Sequence, residues 1–282
     1  MTSRRTTIDV RLPDGVMPAH LWLPPAGTGP GLLLLQEIFG VSDYIQSRAQ
    51  DLADLGYVVL APELYWRAEG SVDESSEEFL QQGMALQSQL DWDTTVADAV
   101  AALEALRTRP EVAGGTGVIG FCFGGGVAFH VAAVADVDVL VSYYGSALPQ
   151  LLPVAERVSA PSLHHFGTAD AYIPLAKVEE IRAAVAGPDV ELHLHDGAGH
   201  AFDNPHPMFV HEAARADAWA ADRRVPRQAA AGVVLGVTFL FQQGEKTVPI
   251  RDSELAAQLG IAVGDRVPLT DYATLRAGAG RG

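Results

Sequence analysis

Nine consecutive residues, Val118-Ile119-Gly120-Phe121-Cys122-Phe123-Gly124-Gly125-Gly126, set an apolar strand, a cysteine and a glycine-rich helix start end to end. A strand that turns into a helix with no intervening loop forces its corner residue into strained backbone. Its neighbours must then lack side chains so that strand and helix can approach. The pattern is G-x-C-x-G-G, and with 28 glycines in 282 residues its odds by chance are about 1 in 1000. A chain carrying it must lay a helix directly on a strand, which restricts it to layered architectures of sheet and helix.

The rest of the sequence repeats that arrangement. Turn signals at PDG and PPAGTGPG separate expected strands over Thr6–Leu12, Pro18–Leu23 and Gly31–Glu37. Helical spacing then runs from Asp43 to Leu55, and Gly56 closes it before the apolar run Tyr57–Ala61. Thr95–Arg109 has helical spacing and stops at Pro110, and a strand at Gly117–Gly120 leads into a helix at Gly124–Ala135. Strands at Val137–Tyr143, Ser162–Gly167 and Val190–His195 follow, with a helix at Leu175–Ala186 between the last two. The polar stretch Glu69–Asp93 reads as a solvated helix start or loop. Met208–Arg223 and Arg227–Phe241 read as two terminal helices split at Pro226. Central strands that are continuously apolar rather than alternating belong to a mainly parallel sheet buried by helices on both faces, so the expected class is α/β. One domain is expected over residues 1–243, with 244–282 as a C-terminal extension of unassigned role.

Charge narrows the partners. Lys and Arg number 19 against 35 Asp and Glu, a net charge of −16, and no basic run exists to displace counterions from phosphates. Nucleic acid is not an expected partner. Gln228–Gln243, the longest uncharged run near the C-terminus, falls short of the roughly 20 apolar residues that cross a bilayer. The N-terminus passes from two arginines straight into alternating Ile8, Val10 and Leu12, without an apolar signal core. A cytoplasmic protein with no membrane partner is the expectation. The single cysteine, Cys122, cannot form an intramolecular disulfide.

At the corner of a strand and a helix the sulfur of Cys122 lies near free helical N–H groups, which favour a thiolate. A thiol nucleophile needs a base and an orienting carboxylate. In this class of fold they follow the nucleophile in the order acid, then histidine. Asp170 follows one apolar strand in HHFGTAD and His200 follows another in DGAGHAF. Read alone, Asp170 serves equally well as an N-cap and His200 as a loop histidine; it is their joint spacing that points to a triad. Glu37 closes the apolar run Leu32–Leu35, an unusual place for an acid that does not face a site.

The segments LLLQEIFG (Leu33–Gly40), GFCFGG, GTAD and GAGHAF together resemble the dienelactone hydrolase (carboxymethylenebutenolidase) family of α/β hydrolases over about residues 6–225. The resemblance implies the α/β-hydrolase fold, a cofactor-free ester or lactone hydrolase, and Cys122, His200 and Asp170 as triad. It further implies Glu37 as the acid that holds the resting thiol, with the backbone amides of Phe123 and Ile38 as oxyanion hole. That family grips a carboxylate-bearing lactone with two arginines, and here those positions fall at Leu80 and near Asn204. The expected substrate is therefore a neutral or larger ester or lactone. Arg67, Tyr65, Trp66, Tyr143, Tyr144 and Phe202 are candidate pocket walls.

Other readings remain open at this point. The fold could serve a non-catalytic binding role, or the thiol could transfer acyl groups or form lactones instead of hydrolysing them. His164-His165 and His193-x-His195 raise metal ligation, although no acidic or cysteine partner stands at a ligand-like spacing, and no metal or cofactor is expected. The run Gly120–Gly126 lacks the Lys-Ser/Thr of a phosphate loop. A homodimer is the protein assembly considered.

Overall fold

A computed structural model describes residues 4–222, 247–249 and 266–268. The chain divides into two compact units, Met1–Thr238 and Phe239–Gly282. In the second, the described residues are two short antiparallel strands, Thr247–Pro249 and Arg266–Pro268. The expected boundary at 243/244 and the expected helix Arg227–Phe241 lie outside the described residues.

The first unit is built on eight strands: β1 (Arg4–Leu12), β2 (Gly15–Leu23), β3 (Gly29–Leu35), β4 (Val58–Pro62), β5 (Val112–Phe121), β6 (Leu140–Tyr143), β7 (Ser162–Gly167) and β8 (Val190–His195). They form one sheet in the order β1-β2-β4-β3-β5-β6-β7-β8. β2 is antiparallel to both its neighbours, and from β4 onward every pairing is parallel. Leu32 to Leu35 and all of β4 are buried, as strands covered on both faces must be.

The helices are α1 (Asp43–Asp54), α2 (Phe79–Gln87), α3 (Trp92–Arg107), α4 (Phe123–Val134), α5 (Leu148–Leu151), α6 (Leu175–Ala184) and α7 (Glu212–Asp222). Adjacent residues of a strand point to opposite faces, and β6 and β7 show which helices cover each. Ser142 donates to the Gly125 carbonyl of α4 while Tyr143 donates to Asp222 of α7. His164 packs against Phe129 of α4 while His165 bonds Asp222. On the α7 side, Arg48 of α1 stacks on Trp219 at 4.7 Å.

Some elements differ from the sequence reading. α2 forms inside the polar stretch Glu69–Asp93, burying only Phe79, Gly83 and Leu86 on one narrow stripe. α3 starts three residues earlier than expected because Asp91 caps it, its carboxylate accepting from the Thr94 N–H at 2.9 Å. β3 ends at Leu35, so Glu37 lies beyond the strand, in a bridge with Gly40. No helix among the described residues is long and apolar enough to cross a membrane.

Candidate active site

β5 ends at Phe121 and α4 begins at Phe123, so Cys122 alone makes the connection. Its backbone sits at φ 52, ψ −112, a left-handed region that costs a non-glycine residue about 1–3 kcal/mol. The surroundings hold it there. The Cys122 N–H donates to the Tyr143 carbonyl at 3.0 Å, and its carbonyl accepts from Gly125 at 3.0 Å and from Ser146 at 3.1 Å. The flanking glycines are demanded by close approach: a Cβ on Gly120 would stand 2.0 Å from the Gly124 carbonyl oxygen, and one on Gly124 would stand 2.3 Å from that of Leu35.

The parallel strands deliver the other groups to the same sheet end. Asp170 follows β7 and His200 follows β8. His200 Nε2 lies 3.1 Å from Cys122 Sγ, and His200 Nδ1 lies 2.7 Å from Asp170 Oδ2. The other oxygen of Asp170 accepts from the amides of Tyr172 at 2.7 Å and Ile173 at 3.0 Å. Burial would raise the Asp170 carboxyl, but the His200 bond and those two amides hold it below the usual carboxylate range. Burial likewise opposes charge on His200, but the Cys122 sulfur and Asp170 outweigh it and raise the imidazole to about 10. The arrangement suits an imidazolium at His200 beside the Cys122 sulfur.

Glu37 is fully buried. Asn204 Nδ2 donates to its Oε2 at 2.8 Å and the Tyr144 hydroxyl lies 3.3 Å from its Oε1. Burial outweighs these bonds and the nearby His200, and lifts its carboxyl to about 7. The Ile38 amide follows Glu37 directly, and the Phe123 amide opens α4. A bond from the Gly124 N–H to the Gln36 carbonyl, 2.9 Å long, ties these two segments together.

The six candidate pocket walls separate into groups. Tyr143 and Phe202 are 0% exposed and pack in the core. Tyr143 is held by Asp222, and Phe202 packs on Tyr144 at 5.2 Å. Tyr144 is buried too, between Glu37 and the His200 ring. Arg67 is committed elsewhere: it binds Asp14 at 2.6 Å, binds Asp98, and stacks on Trp66. Tyr65 stacks on Phe123 and donates to the Ile38 carbonyl at 3.0 Å, and burial together with the Cys122 sulfur raises its phenol. Tyr65 and Trp66 also line a cavity of about 550 Å³ beside the Ile38–Val41 loop.

The histidine pairs have other partners than a metal. His164 and His165 face opposite sides of the sheet, and His165 Nδ1 bonds His195 Nε2 at 3.0 Å. Among the described residues no group of three or more metal-binding side chains converges. Sequence reasoning missed Tyr44, Arg48 and Asp203, which form a buried cluster behind Glu37. It took Asn204 only as a place where an arginine is absent. Tyr172, 63% exposed with its ring 5.1 Å from that of His200, was missed as well.

Comparison with known proteins agrees with this geometry. Residues 17–225 match the profile of the dienelactone hydrolase family. A carboxymethylenebutenolidase of a Pseudomonas species is 37% identical over 201 residues, covering 70% of this chain and 84% of that protein. One from Pseudomonas putida is 35% identical, covering 64% of this chain and 77% of that protein. A crystal structure from Klebsiella pneumoniae, assigned as a dienelactone hydrolase, is 26% identical with a TM-score of 0.70, covering 78% of this chain and 97% of that one. A dienelactone hydrolase-like promiscuous phosphotriesterase from metagenomic libraries is 25% identical with a TM-score of 0.62, covering 78% and 96%. The chain thus belongs to the dienelactone hydrolase family of α/β hydrolases and is a hydrolase whose elbow residue is a cysteine.

Proposed function

We propose that the protein hydrolyses a neutral ester or lactone with an apolar acyl part, using Cys122 as nucleophile. The observation that carries this is the unbroken line from Cys122 Sγ to His200 Nε2 at 3.1 Å and from His200 Nδ1 to Asp170 at 2.7 Å. The thiolate adds to the carbonyl carbon, and the oxygen that gains charge is held by the Phe123 and Ile38 amides. Collapse expels the alkoxide, which takes the proton of the His200 imidazolium, and a thioester to Cys122 remains. His200, now neutral, removes a proton from water, the hydroxide attacks the thioester, and the acid and the starting thiolate–imidazolium pair are regenerated. Asp170 keeps the imidazole oriented, and Glu37 governs the charge beside the thiol.

Two cavities, one lined by Phe123 and the other by Phe39, support a substrate without negative charge. One of about 360 Å³ is bounded by Met84, Leu90, Trp92 and Phe123, with Gln87, Ser88 and Thr95 as its polar members and no charged residue. The larger one, beside the Ile38–Val41 loop, carries Asp43, Glu63 and Glu74 and no cation. A carboxylate-bearing lactone would meet acids there, and Arg67 is already paired.

The test is mass spectrometry of protein quenched in acid milliseconds after mixing with an activated aryl ester or a neutral lactone, beside Cys122→Ala. An acyl adduct on Cys122 that decays as product appears is the expected result. Equal turnover by Cys122→Ala with no adduct would overturn the thiol mechanism.

A further inference from the structure

Behind Glu37 the core contains a line of hydroxyls that ends on an ion pair. Tyr144 Oη is 3.3 Å from Glu37 Oε1 and also 3.3 Å from Tyr44 Oη. Tyr44 of α1 donates its one hydrogen to Asp203 Oδ2. Asp203 also accepts from Arg48, through Nε at 2.6 Å and Nη2 at 2.7 Å. The hydrogen of Tyr44 is therefore fixed, and its oxygen is left to accept.

That leaves Tyr144 with one hydrogen and two acceptors at equal distance. When Glu37 is ionised, the Tyr144 hydrogen points to Glu37. When Glu37 carries a proton on Oε1, it can donate to Tyr144, whose own hydrogen then turns to Tyr44. No buried hydroxyl or carboxyl loses its partner in either state, which is unusual for a fully buried acid, because one protonation state is ordinarily left unpaired at a cost. Asn204 bonds the other oxygen of Glu37 in both states.

We propose that Tyr144 is a two-position hydrogen-bond switch and Tyr44 the positioning residue that supplies its second position, so that Glu37 takes up and releases a proton beside His200 without leaving the core unsatisfied. The charged or titratable groups around Glu37 are His200 and Asp203 from the loop after β8, Tyr144 after β6, and Tyr44 with Arg48 from α1; Cys122 is linked to them through His200. Of these, only Tyr44 gives Tyr144 an alternative acceptor. The consequence for chemistry rests on the reading that Cys122 is the nucleophile: an ionised Glu37 adds a negative charge beside the Cys122–His200 pair, and a neutral one removes it.

Hydrogen accounting gives the two tyrosines opposite effects. Tyr44→Phe removes the acceptor that Tyr144 needs only when Glu37 is protonated, so it disfavours the acid and lowers the midpoint of Glu37. Tyr144→Phe removes a donor to the carboxylate, a charge-assisted bond stronger than the neutral one lost from the acid form, so it raises the midpoint. Infrared difference spectra of the carbonyl stretch of the protonated carboxyl, recorded against pH and assigned with Glu37→Gln, read this directly without turnover. The expected result is a midpoint about one pH unit lower in Tyr44→Phe and higher in Tyr144→Phe. A midpoint that stays put in Tyr44→Phe, or moves the same way in both variants, would overturn the switch. The pH dependence of Cys122 alkylation by iodoacetamide separates the two ideas. If the infrared midpoints diverge while alkylation follows neither, the switch stands and the claim that Glu37 governs the thiol falls.

Discussion

The carbonyl of Gln36 accepts the N–H of Gly124 at 2.9 Å, and this one bond spans the two segments that carry the Ile38 and Phe123 amides. Its geometry depends on Gly124 having no side chain. A Cβ there would lie 2.3 Å from the Leu35 oxygen and 2.4 Å from the Gln36 oxygen, and both neighbours are backbone that cannot swing aside. Gly124→Ala is therefore expected to push β3 away from α4 and misalign the two donors. Loss of one such donor costs about 100- to 1000-fold in rate, so kcat/KM on an activated ester should fall at least that far and the melting temperature should fall with it. Wild-type kcat/KM in this variant would show that the two amides are not jointly needed.

Asp170 is expected to matter through charge as well as geometry. It accepts from His200 and from two amides, and Asp170→Asn keeps the size while removing the charge that stabilises the imidazolium. The His200 proton, held to about 10 in the native site, should be released at lower pH. The thiolate loses its counter-ion, and both kcat/KM and Cys122 alkylation at neutral pH should fall. The loss in kcat/KM should be about 10²- to 10⁴-fold. Alkylation at an unchanged rate would show that Asp170 only orients the ring.

Substrate charge is the third expectation. Arg67 is tied to Asp14 and Asp98, and Leu80 stands where the resemblance puts an arginine, packed against the core. Between two lactones differing only in a carboxylate, the neutral one should be preferred by about tenfold or more in kcat/KM, chiefly through KM. Leu80→Arg should narrow that gap, whereas Arg67→Ala should leave it unchanged and lower only the melting temperature. Equal use of both lactones by the wild type would remove the argument for a neutral substrate.

Continuous signals were the legible ones. β4 at Val58–Pro62 and the start of α4 were readable because an unbroken apolar run and a glycine cluster state their roles locally. The triad was readable because Cys122, Asp170 and His200 each follow a strand, and a parallel sheet brings such positions to one end. α2 was obscured because a stripe of Phe79, Gly83 and Leu86 is too narrow to stand out beside four acids. The cluster behind Glu37 could not be seen at all. Arg48 and Asp203 are 155 residues apart, and nothing in either neighbourhood names the other. Tyr143 was ambiguous for a related reason: a residue at a strand end is core or pocket depending on whether a helix covers it, and Asp222 of α7 bonds Tyr143.

His164 provides a stability prediction. It is fully buried, with Nε2 on Ser162 Oγ at 3.1 Å and no partner for Nδ1 among the described residues. Burial, with His165 beside it, lowers its midpoint to about 3. The unfolded chain binds a proton at His164 once pH drops below about 6.5, whereas the folded protein refuses it until about 3. Between these values the unfolded state holds more protons, so stability falls as pH falls, by about 1.4 kcal/mol per pH unit at the steepest. His195, lowered to about 4 by burial and by His165 and His193, acts in the same direction over a narrower range. Glu37, raised by burial from 4.5 to about 7, acts in the opposite direction over that interval, since there the folded state holds the extra proton. The His164 contribution is isolated by comparing the wild type with His164→Gln in urea unfolding at pH 6, 5 and 4. The variant should show the flatter decline, by about 1 kcal/mol per pH unit. Parallel declines would mean that His164 is protonated in the folded core, and that Nδ1 donates to a partner the buried site must then supply.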